Sequence, residues 1–429
     1  MEKYRLLTVM SNASKSQEYK QEIEVAGHLI DSMILTRIFD KIMDLKGEFE
    51  VIEFKIGKEK SDKSYAKLWV KADTPEHLRE ILEDVYNAGA TPIEITSATL
   101  NRAPKDMVLP TDFYSTTNNL TFVLLDGDWV EVEDQMMDKV IVVDRARRLA
   151  TCKPIRGIRA GDEVVVGDSG IRISPPERPR DGMNVFQFMS SYTSTEKPVQ
   201  TVAKRIAEDV FGIKKRKGKV AVVAGPAIVH TGATESLAYL IRSGYVSVLL
   251  AGNALLIHDI EYSLFGTSLG VDLQSGSSKY QGHRHHMVAV NELFKAGSVE
   301  GLVKNNALRS GIMYECVKSE IPYVLAGSIR DDGPAPGVIT DVVEAQQKYK
   351  EALKGLDLVI MLSTMLHSIA VGNMLPSRVK VIAVDINPST LTKLLDRGTD
   401  QAVGVVSDVG SFLPLVVKDL KDLESKEIV

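Results

Sequence analysis

The run His258-Asp259-Ile-Glu261 sets an imidazole and a carboxylate three residues apart. On a helix that spacing brings both side chains to one face, where they could address a single substrate ammonium. Otherwise they are a packed histidine and a helix-start carboxylate. Six of the eight histidines fall between residues 230 and 367. Gly282-His-Arg-His-His286 holds three of them, but His-x-His-His is not the spacing of a structural zinc site, and no cysteine pair accompanies it. It reads as a helix start at the surface or facing a ligand, or as a proton-transfer group, and no metal is expected. Asp331-Asp332-Gly333 places two carboxylates beside a turn. Repulsion between like charges could raise the pKa of one and make it a base; the alternative is an ordinary turn. Cys316 sits in an apparent helix and reads as core. Cys152 has no histidine near it in the chain, so neither cysteine is expected to be a nucleophile.

These groups need a frame. Short runs rich in Val, Ile and Leu occur at residues 219–224, 246–251, 322–326, 358–361 and 379–384, with helical segments between them. They suit strands buried on both faces of a parallel sheet, and predict a doubly wound α/β domain. The residues after each run are Gly225-Pro-Ala-Ile-Val-His-Thr-Gly232, Gly252-Asn-Ala254, Gly327-Ser-Ile-Arg-Asp-Asp-Gly333, Ser363-Thr-Met365 and Asp385-Ile-Asn387. Small and hydrogen-bonding residues thus collect at the carboxyl edge of one sheet, where such folds bind ligands. Glycines let backbone approach a pyrophosphate, and helix N-termini offer it free N–H groups. Gly225 to Gly232 is not GxGxxG, so the usual fingerprint is absent. Five such edges in register still predict nucleotide binding. Asp385 could accept hydrogen bonds from a ribose diol, favouring NAD over its 2′-phosphorylated form, or cap a helix.

Upstream, residues 1–104 read as a ferredoxin-like βαββαβ unit. Its expected parts are a strand at 6–9, a helical stripe of Ile30, Met33, Ile34, Ile38 and Ile42, strands carrying Ile52, Phe54, Ile56 and Ala66, Leu68, Val70, a helix opened by Thr74-Pro75-Glu76, and a last strand within 91–99. Residues 105–185 read as a small β-rich domain with strands at 119–129, 140–144 and 162–173 and turns at Asp126-Gly127, Gly161-Asp162 and Gly167-Asp168. The proline-rich stretch 174–182 reads as a linker or wrapping arm. Residues 186–429 form the expected nucleotide-binding domain.

Composition narrows the function. A net charge of −5 and 6% aromatics argue against a nucleic-acid binder. No apolar run approaches the length of a membrane span, and the N-terminus lacks the apolar core of a secretion signal. Two cysteines make no disulfide framework and fit a reducing compartment. A cytoplasmic protein is expected, acting on a small molecule.

Thr151-Cys-Lys-Pro-Ile-Arg-Gly-Ile-Arg-Ala-Gly-Asp162, Gly167-Asp-Ser-Gly-Ile-Arg172 and Phe188-Met-Ser-Ser191 resemble the region named after lysine-ketoglutarate reductase/saccharopine dehydrogenase (LOR/SDH) bifunctional enzymes. Gly252-Asn-Ala-Leu-Leu-Ile-His-Asp-Ile-Glu261 with Leu264-Phe-Gly-Thr-Ser-Leu-Gly270 is the most specific stretch. Nearly the whole chain is similar to the archaeal proteins that carry this label, and to the C-terminal part of cyanobacterial arginine dihydrolase/ornithine cyclodeaminase. The resemblance implies an NAD-dependent ornithine cyclodeaminase that yields proline and ammonia. It also implies a Rossmann variant of the deoxyhypusine-synthase type, and by analogy a homodimer or homotetramer. An arginine dihydrolase domain is not expected ahead of residue 1, nor is arginine hydrolysis. The catalytic Lys and Asp of the crystallin-related ornithine cyclodeaminases have no counterpart pattern here.

In the implied cycle, Cα of ornithine gives up a hydride, the δ-amine closes a five-membered ring, ammonia leaves, and the hydride returns. Position nominates Asp332, His258 and Glu261 for proton transfer, and Arg330 or Arg284 for the substrate carboxylate. The expected cofactor-binding residues are Gly225, Thr231, Gly232, Asn253, Ala254, Gly327, Ser328, Asp332, Gly333, Thr364, Met365, Asp385, Asn387 and Asp408. The alternatives are an NAD-dependent amino-acid or opine (saccharopine-type) dehydrogenase, and a non-catalytic NAD-sensing module.

Overall fold

The computed structural model describes residues 19–29, 33–57, 62–92, 96–175, 199–279, 282–331, 334–396 and 402–427. The expected strand at 6–9, the arm from residue 176 on, the Phe188-Met-Ser-Ser191 motif, Asp332 and Gly333 lie outside them.

The first unit contains β1 (Tyr19–Gly27), α1 (Ile34–Asp44), β2 (Glu48–Lys55), β3 (Ser64–Ala72), α2 (Pro75–Asn87) and β4 (Thr91–Pro92). Sheet order β2-β3-β1-β4 is that of a ferredoxin-like fold. The opening strand is therefore β1, where Ile23 and Val25 point inward between outward Glu22 and Glu24. Ile34, Ile38 and Ile42 of α1 pack with Ile81 and Val85 of α2 over Ala66, Leu68 and Val70 of β3. Met33 is not part of that stripe; it precedes the helix in a left-handed conformation at φ 58°. Thr74 caps α2 by accepting from the His77 N–H at 3.1 Å, with Pro75 at the first turn. Ile52 and Phe54 do not face the core. β2 is an edge strand whose register shifts between Val51 and Glu53, and the shift leaves them exposed.

The second sheet has seven strands in the order β11-β6-β7-β9-β8-β10-β5. These are β5 (Thr99–Arg102), β6 (Leu120–Leu125), β7 (Asp128–Glu133), β8 (Val140–Asp144), β9 (Leu149–Lys153), β10 (Glu163–Val166) and β11 (Ile171–Ser174). All neighbours are antiparallel except β7 and β9. The last strand sought within 91–99 divides. Thr91–Pro92 pairs with β1, whereas Thr99–Arg102 pairs with β10 of this second sheet.

The third sheet is parallel, in the order β17-β16-β13-β12-β18-β19-β20. Five strands lie where apolar runs predict them: β12 (Val220–Ala224), β13 (Val248–Gly252), β16 (Tyr323–Ala326), β18 (Leu358–Leu362) and β19 (Lys380–Asp385). The sequence reading misses β17 (Val338–Ile339) and β20 (Ala402–Val406), edge strands that are short or interrupted by glycine. Alternate residues feed two cores. Val220, Val222 and Ala224 pack with α3 (Val199–Lys215), α5 (Thr234–Arg242) and the C-terminal helix Val409–Glu427. Ala221 and Val223 pack with Tyr349, Val371 and Leu391 on the other face. That double burial is why these strands read as unbroken apolar runs.

The second sheet docks on the third through the helix Val342–Ala352. Lys350 pairs with Asp134 at 3.3 Å, and Arg156 donates to Gln346 at 2.6 Å. Ser377 N–H also donates to the Asn118 carbonyl at 2.8 Å. Among the described residues no helix is long and apolar enough to cross a membrane.

Candidate active site

Strand order in the parallel sheet reverses between β12 and β18, since β13, β16 and β17 build outward on one side and β18, β19 and β20 on the other. Connections on the two sides leave a crevice at the carboxyl ends of these strands. Gly225 ends β12 there. A Cβ on it would overlap the Ser363 carbonyl at the end of β18, so the two backbones meet with nothing between. Ser363 itself takes a left-handed φ of 51°. Gly252, ending β13, has His367 Cε1 2.8 Å from where its Cβ would stand. His367 is edge-on to Tyr349, whose hydroxyl donates to the Ala251 carbonyl at 2.8 Å. Burial holds His367 below the ordinary imidazole pKa.

The other expected cofactor residues line the same edge in different ways. Thr231 donates to the Ala227 carbonyl at 2.8 Å, and Gly232 turns the chain at φ 79°. Asn253 and Ala254 open α6 (Asn253–Phe265), and Asn253 Oδ1 accepts from Ala335 N–H at 3.1 Å. Gly327 and Ser328 follow β16. Ser328 N–H donates to Asp331 Oδ2 at 2.7 Å, so the Asp331 carboxylate turns back onto its own loop. Thr364 and Met365 start the helix after β18. Asp385 accepts from Asn387 N–H at 2.8 Å, and Asn387 accepts from Ser389 N–H at 3.0 Å. The Asp408 carboxylate takes the Ser411 N–H at 2.9 Å and caps the C-terminal helix. Ile329, Leu366 and Ile386 leave apolar side chains exposed along this edge.

Beside the crevice, His258 and Glu261 meet as their spacing predicts. His258 Nδ1 lies 2.9 Å from Glu261 Oε2. The Glu261 carboxylate is fully buried and accepts three more hydrogen bonds: Thr267 hydroxyl at 3.0 Å, Leu269 N–H at 3.2 Å and Gly270 N–H at 2.9 Å. Burial by itself would push this carboxyl up, but the bonds from His258, Gly270 and Thr267 outweigh it and hold the group below its ordinary value. An ionised carboxylate only accepts, so His258 donates through Nδ1, and in the neutral ring that leaves Nε2 as the acceptor. Thr267 gives its one hydroxyl hydrogen to Glu261. In its 2.8 Å contact with His285 Nδ1 the hydrogen is therefore on the imidazole. His230 Nδ1 is 2.6 Å from Ser268 Oγ, and its ring lies 4.7 Å from that of His258, edge to face.

Asp259 faces the other way. It is buried and accepts the Ile312 and Met313 N–H groups, each at 2.8 Å, at the start of the helix Ile312–Lys318. Burial pushes its carboxyl up to about 7. Arg330 follows β16 and Arg284 precedes the helix His285–Ala296; both are exposed.

Sequence reasoning gave no role to His230 or Thr267, and it noted His285 only as part of the Gly282–His286 run, without relating it to Glu261. Their positions are 31, 6 and 24 residues from Glu261, beyond what helix periodicity can relate. The available signal was the clustering of polar residues in Leu264-Phe-Gly-Thr-Ser-Leu-Gly270 beside a histidine-rich stretch. Among the described residues no three His, Cys, Asp or Glu side chains gather as a set of metal ligands.

Three family models match successive parts of the chain: the LOR/SDH bifunctional enzyme conserved region over residues 20–119, the first region of the ArgZ-like arginine dihydrolase C-terminal part over 120–203, and its Rossmann fold over 204–416. The chain is 56% identical to a protein of Methanothermobacter thermautotrophicus named ornithine cyclodeaminase, covering 94% of this chain and 98% of that one. The crystal structure of a conserved LOR/SDH protein from Methanococcus maripaludis S2 is 50% identical, with a TM-score of 0.75, covering 77% of this chain and all of that one. The ternary complex of AgrE with ornithine and NAD+ is 42% identical, with a TM-score of 0.52, covering 95% of this chain and 58% of that one. AgrE of Nostoc is named a bifunctional arginine dihydrolase/ornithine cyclodeaminase.

Proposed function

The chain belongs to the ornithine cyclodeaminase family that carries the LOR/SDH conserved region, and on that premise we propose that it converts L-ornithine to L-proline and ammonia with NAD retained as an internal hydride carrier. The observation that carries this reading is the likeness over 98% of the length of an ornithine cyclodeaminase, spanning both the crevice and the histidine–carboxylate cluster.

The crevice residues fit a dinucleotide. The bare backbone of Gly225 packs against the Ser363 carbonyl, which draws the ends of β12 and β18 together at the sheet's switch point, where such folds hold a dinucleotide. Ile329, Leu366 and Ile386 offer apolar surface for a flat ring. Gly225, Thr231, Gly232, Asn253, Ala254, Gly327, Ser328, Gly333, Thr364, Met365, Asp385 and Asn387 would hold it. Asp408 would contribute chiefly by fixing the N-terminus of its helix. Bound NAD supplies the acceptor and donor of hydride at Cα.

The chain's own work is proton transfer, orientation and exclusion of water. His258 Nε2 would take a proton from a substrate ammonium. Glu261 fixes the tautomer and stabilises the imidazolium that results. Asp332, beside the crevice in sequence, is the alternative base. Arg330 or Arg284 would pair with the substrate carboxylate through two parallel hydrogen bonds. The cysteines at 152 and 316 are buried and free, which accords with a reducing cytoplasm. We place the enzyme there, as a homodimer or homotetramer.

Purified protein mixed with L-ornithine tests the reading. Proline and ammonia should form one to one, without steady gain of absorbance at 340 nm, and denaturation should release a dinucleotide retained through native purification. Continuous NADH production would instead identify an amino-acid or opine dehydrogenase. NAD binding with no turnover of any diamino acid would identify a sensing module.

A further inference from the structure

We propose that His230 is a second proton-carrying catalytic residue, exchanging a proton with the His258–Glu261 pair during ring closure. This rests on the ornithine reading above. It starts from the geometry of the short strand Thr267–Ser268. That strand orients three imidazoles, each through Nδ1: His258 by way of Glu261, His285 through Thr267, and His230 through Ser268. Of the three, His230 and His258 are in ring contact at 4.7 Å. His230 also ends the short helix Ala227–His230, which directly follows Gly225 and Pro226. It therefore joins, through the chain, the end of β12 to the imidazole that Glu261 holds.

The chemistry needs such a pair. Ornithine enters with two ammonium groups and one carboxylate; proline leaves as a zwitterion with an ammonium ion. Total charge and proton count are unchanged, so ring closure moves a proton within the site. The δ-nitrogen must lose a proton as its bond to Cα forms. The α-nitrogen must gain one as its bond to Cα breaks; that bond's electron pair departs with ammonia, while the ring nitrogen's lone pair becomes the C=N bond. One imidazole is thus wanted as base and another as acid, with a route between them. Two imidazoles in contact beside one carboxylate carry one proton more readily than two. Burial and the neighbouring His258 hold His230 below its ordinary pKa, while Glu261 acts in the opposite sense. The titratable groups around the pair are Glu261 on α6 and His285, reached through Thr267.

Two measurements test this. In single turnovers of NAD-loaded His230→Gln and His230→Asn with ornithine, absorbance at 340 nm should still rise. Proline formation should fall about 100-fold, with the open-chain keto acid appearing by hydrolysis. Proline formation within threefold of the unmodified enzyme in both variants would overturn the assignment. Separately, NMR titration of the ligand-free protein should show the His230 midpoint rising by about one pH unit in His258→Gln. An unmoved midpoint would also overturn it. If the unmodified enzyme makes no proline, the ornithine reading fails, and the titration still decides whether the two imidazoles share a proton.

Discussion

Gly225 and Ser363 meet backbone to backbone where the parallel sheet reverses its strand order. Gly225 N–H donates to the Leu362 carbonyl at 2.9 Å, and a Cβ on Gly225 would overlap the Ser363 carbonyl. The neighbour is main chain, held in turn by its own bond from Ser363 N–H to Val384, so it cannot swing aside. Gly225→Ala should therefore push β12 and β18 apart at the crevice, at a cost of about 1–3 kcal/mol. Thermal unfolding with and without added NAD checks this. The variant should lose most of the increase in Tm that NAD confers, because ligand stabilisation scales with affinity.

Glu261→Gln keeps the shape of the side chain but replaces an acceptor oxygen with an amide group. Four donors converge on the carboxylate, so at least one would then face N–H instead of oxygen, at about 1–3 kcal/mol. Turnover should fall by about 100-fold or more, with NAD affinity changed less than threefold, since Glu261 lies beside the crevice rather than in it. Calorimetric NAD binding alongside kcat separates these effects.

Asp259 serves as an internal contrast. It neighbours His258 in the chain yet caps a different helix through Ile312 and Met313. Asp259→Ala should destabilise the fold by about 2–5 kcal/mol, because two buried N–H groups lose their acceptor. Urea unfolding reads the loss. The pH–rate profile of the folded fraction should keep its shape, whereas substitutions at His258 or Glu261 should change it.

Acid stability should report on His230 and Glu261 in separate windows. The His230 pKa is lowered in the folded state, so the unfolded chain binds the proton first. Stability is then fullest above pH 6.5, its ordinary value, and declines as pH falls below it. Glu261 is also lowered, from 4.5, so its contribution is present above that pH and lost as pH drops through the folded value. His230→Asn should lessen the decline that begins near 6.5, leaving the part contributed by buried His367 and the more acidic one. Denaturant midpoints measured from pH 8 to pH 4 distinguish the two.

Legibility in the sequence followed the range of the interaction. The strands β12, β13, β16, β18 and β19 were readable because burial on both faces leaves unbroken apolar runs. β20 was not, since Gly404 interrupts it and it lies at the sheet edge. The apolar residues 6–9, which predict a strand, lie outside the described residues. β1 is built from alternating Ile23 and Val25 with glutamates between, a weaker signal that pairing with β3 makes decisive. Asp408 is proposed as a cofactor ligand by its place at a strand end, and the structure adds that its carboxylate accepts its own helix's N–H and hydroxyl at Ser411. A carboxylate just before a helix has that use whatever lies across the crevice.

From its residues alone this chain determined a parallel α/β sheet with small residues at one edge, and a histidine and a glutamate on one helical face. Local backbone geometry and the period of burial suffice for those. Only the tertiary structure decided that Glu261 is an ionised acceptor surrounded by four donors, that Asp259 faces away to hold another helix, and that His230 and His285 join His258 around one short strand. Those relationships depend on contacts across loops, where desolvation and hydrogen bonding set protonation, and neither leaves a periodic trace in the order of residues.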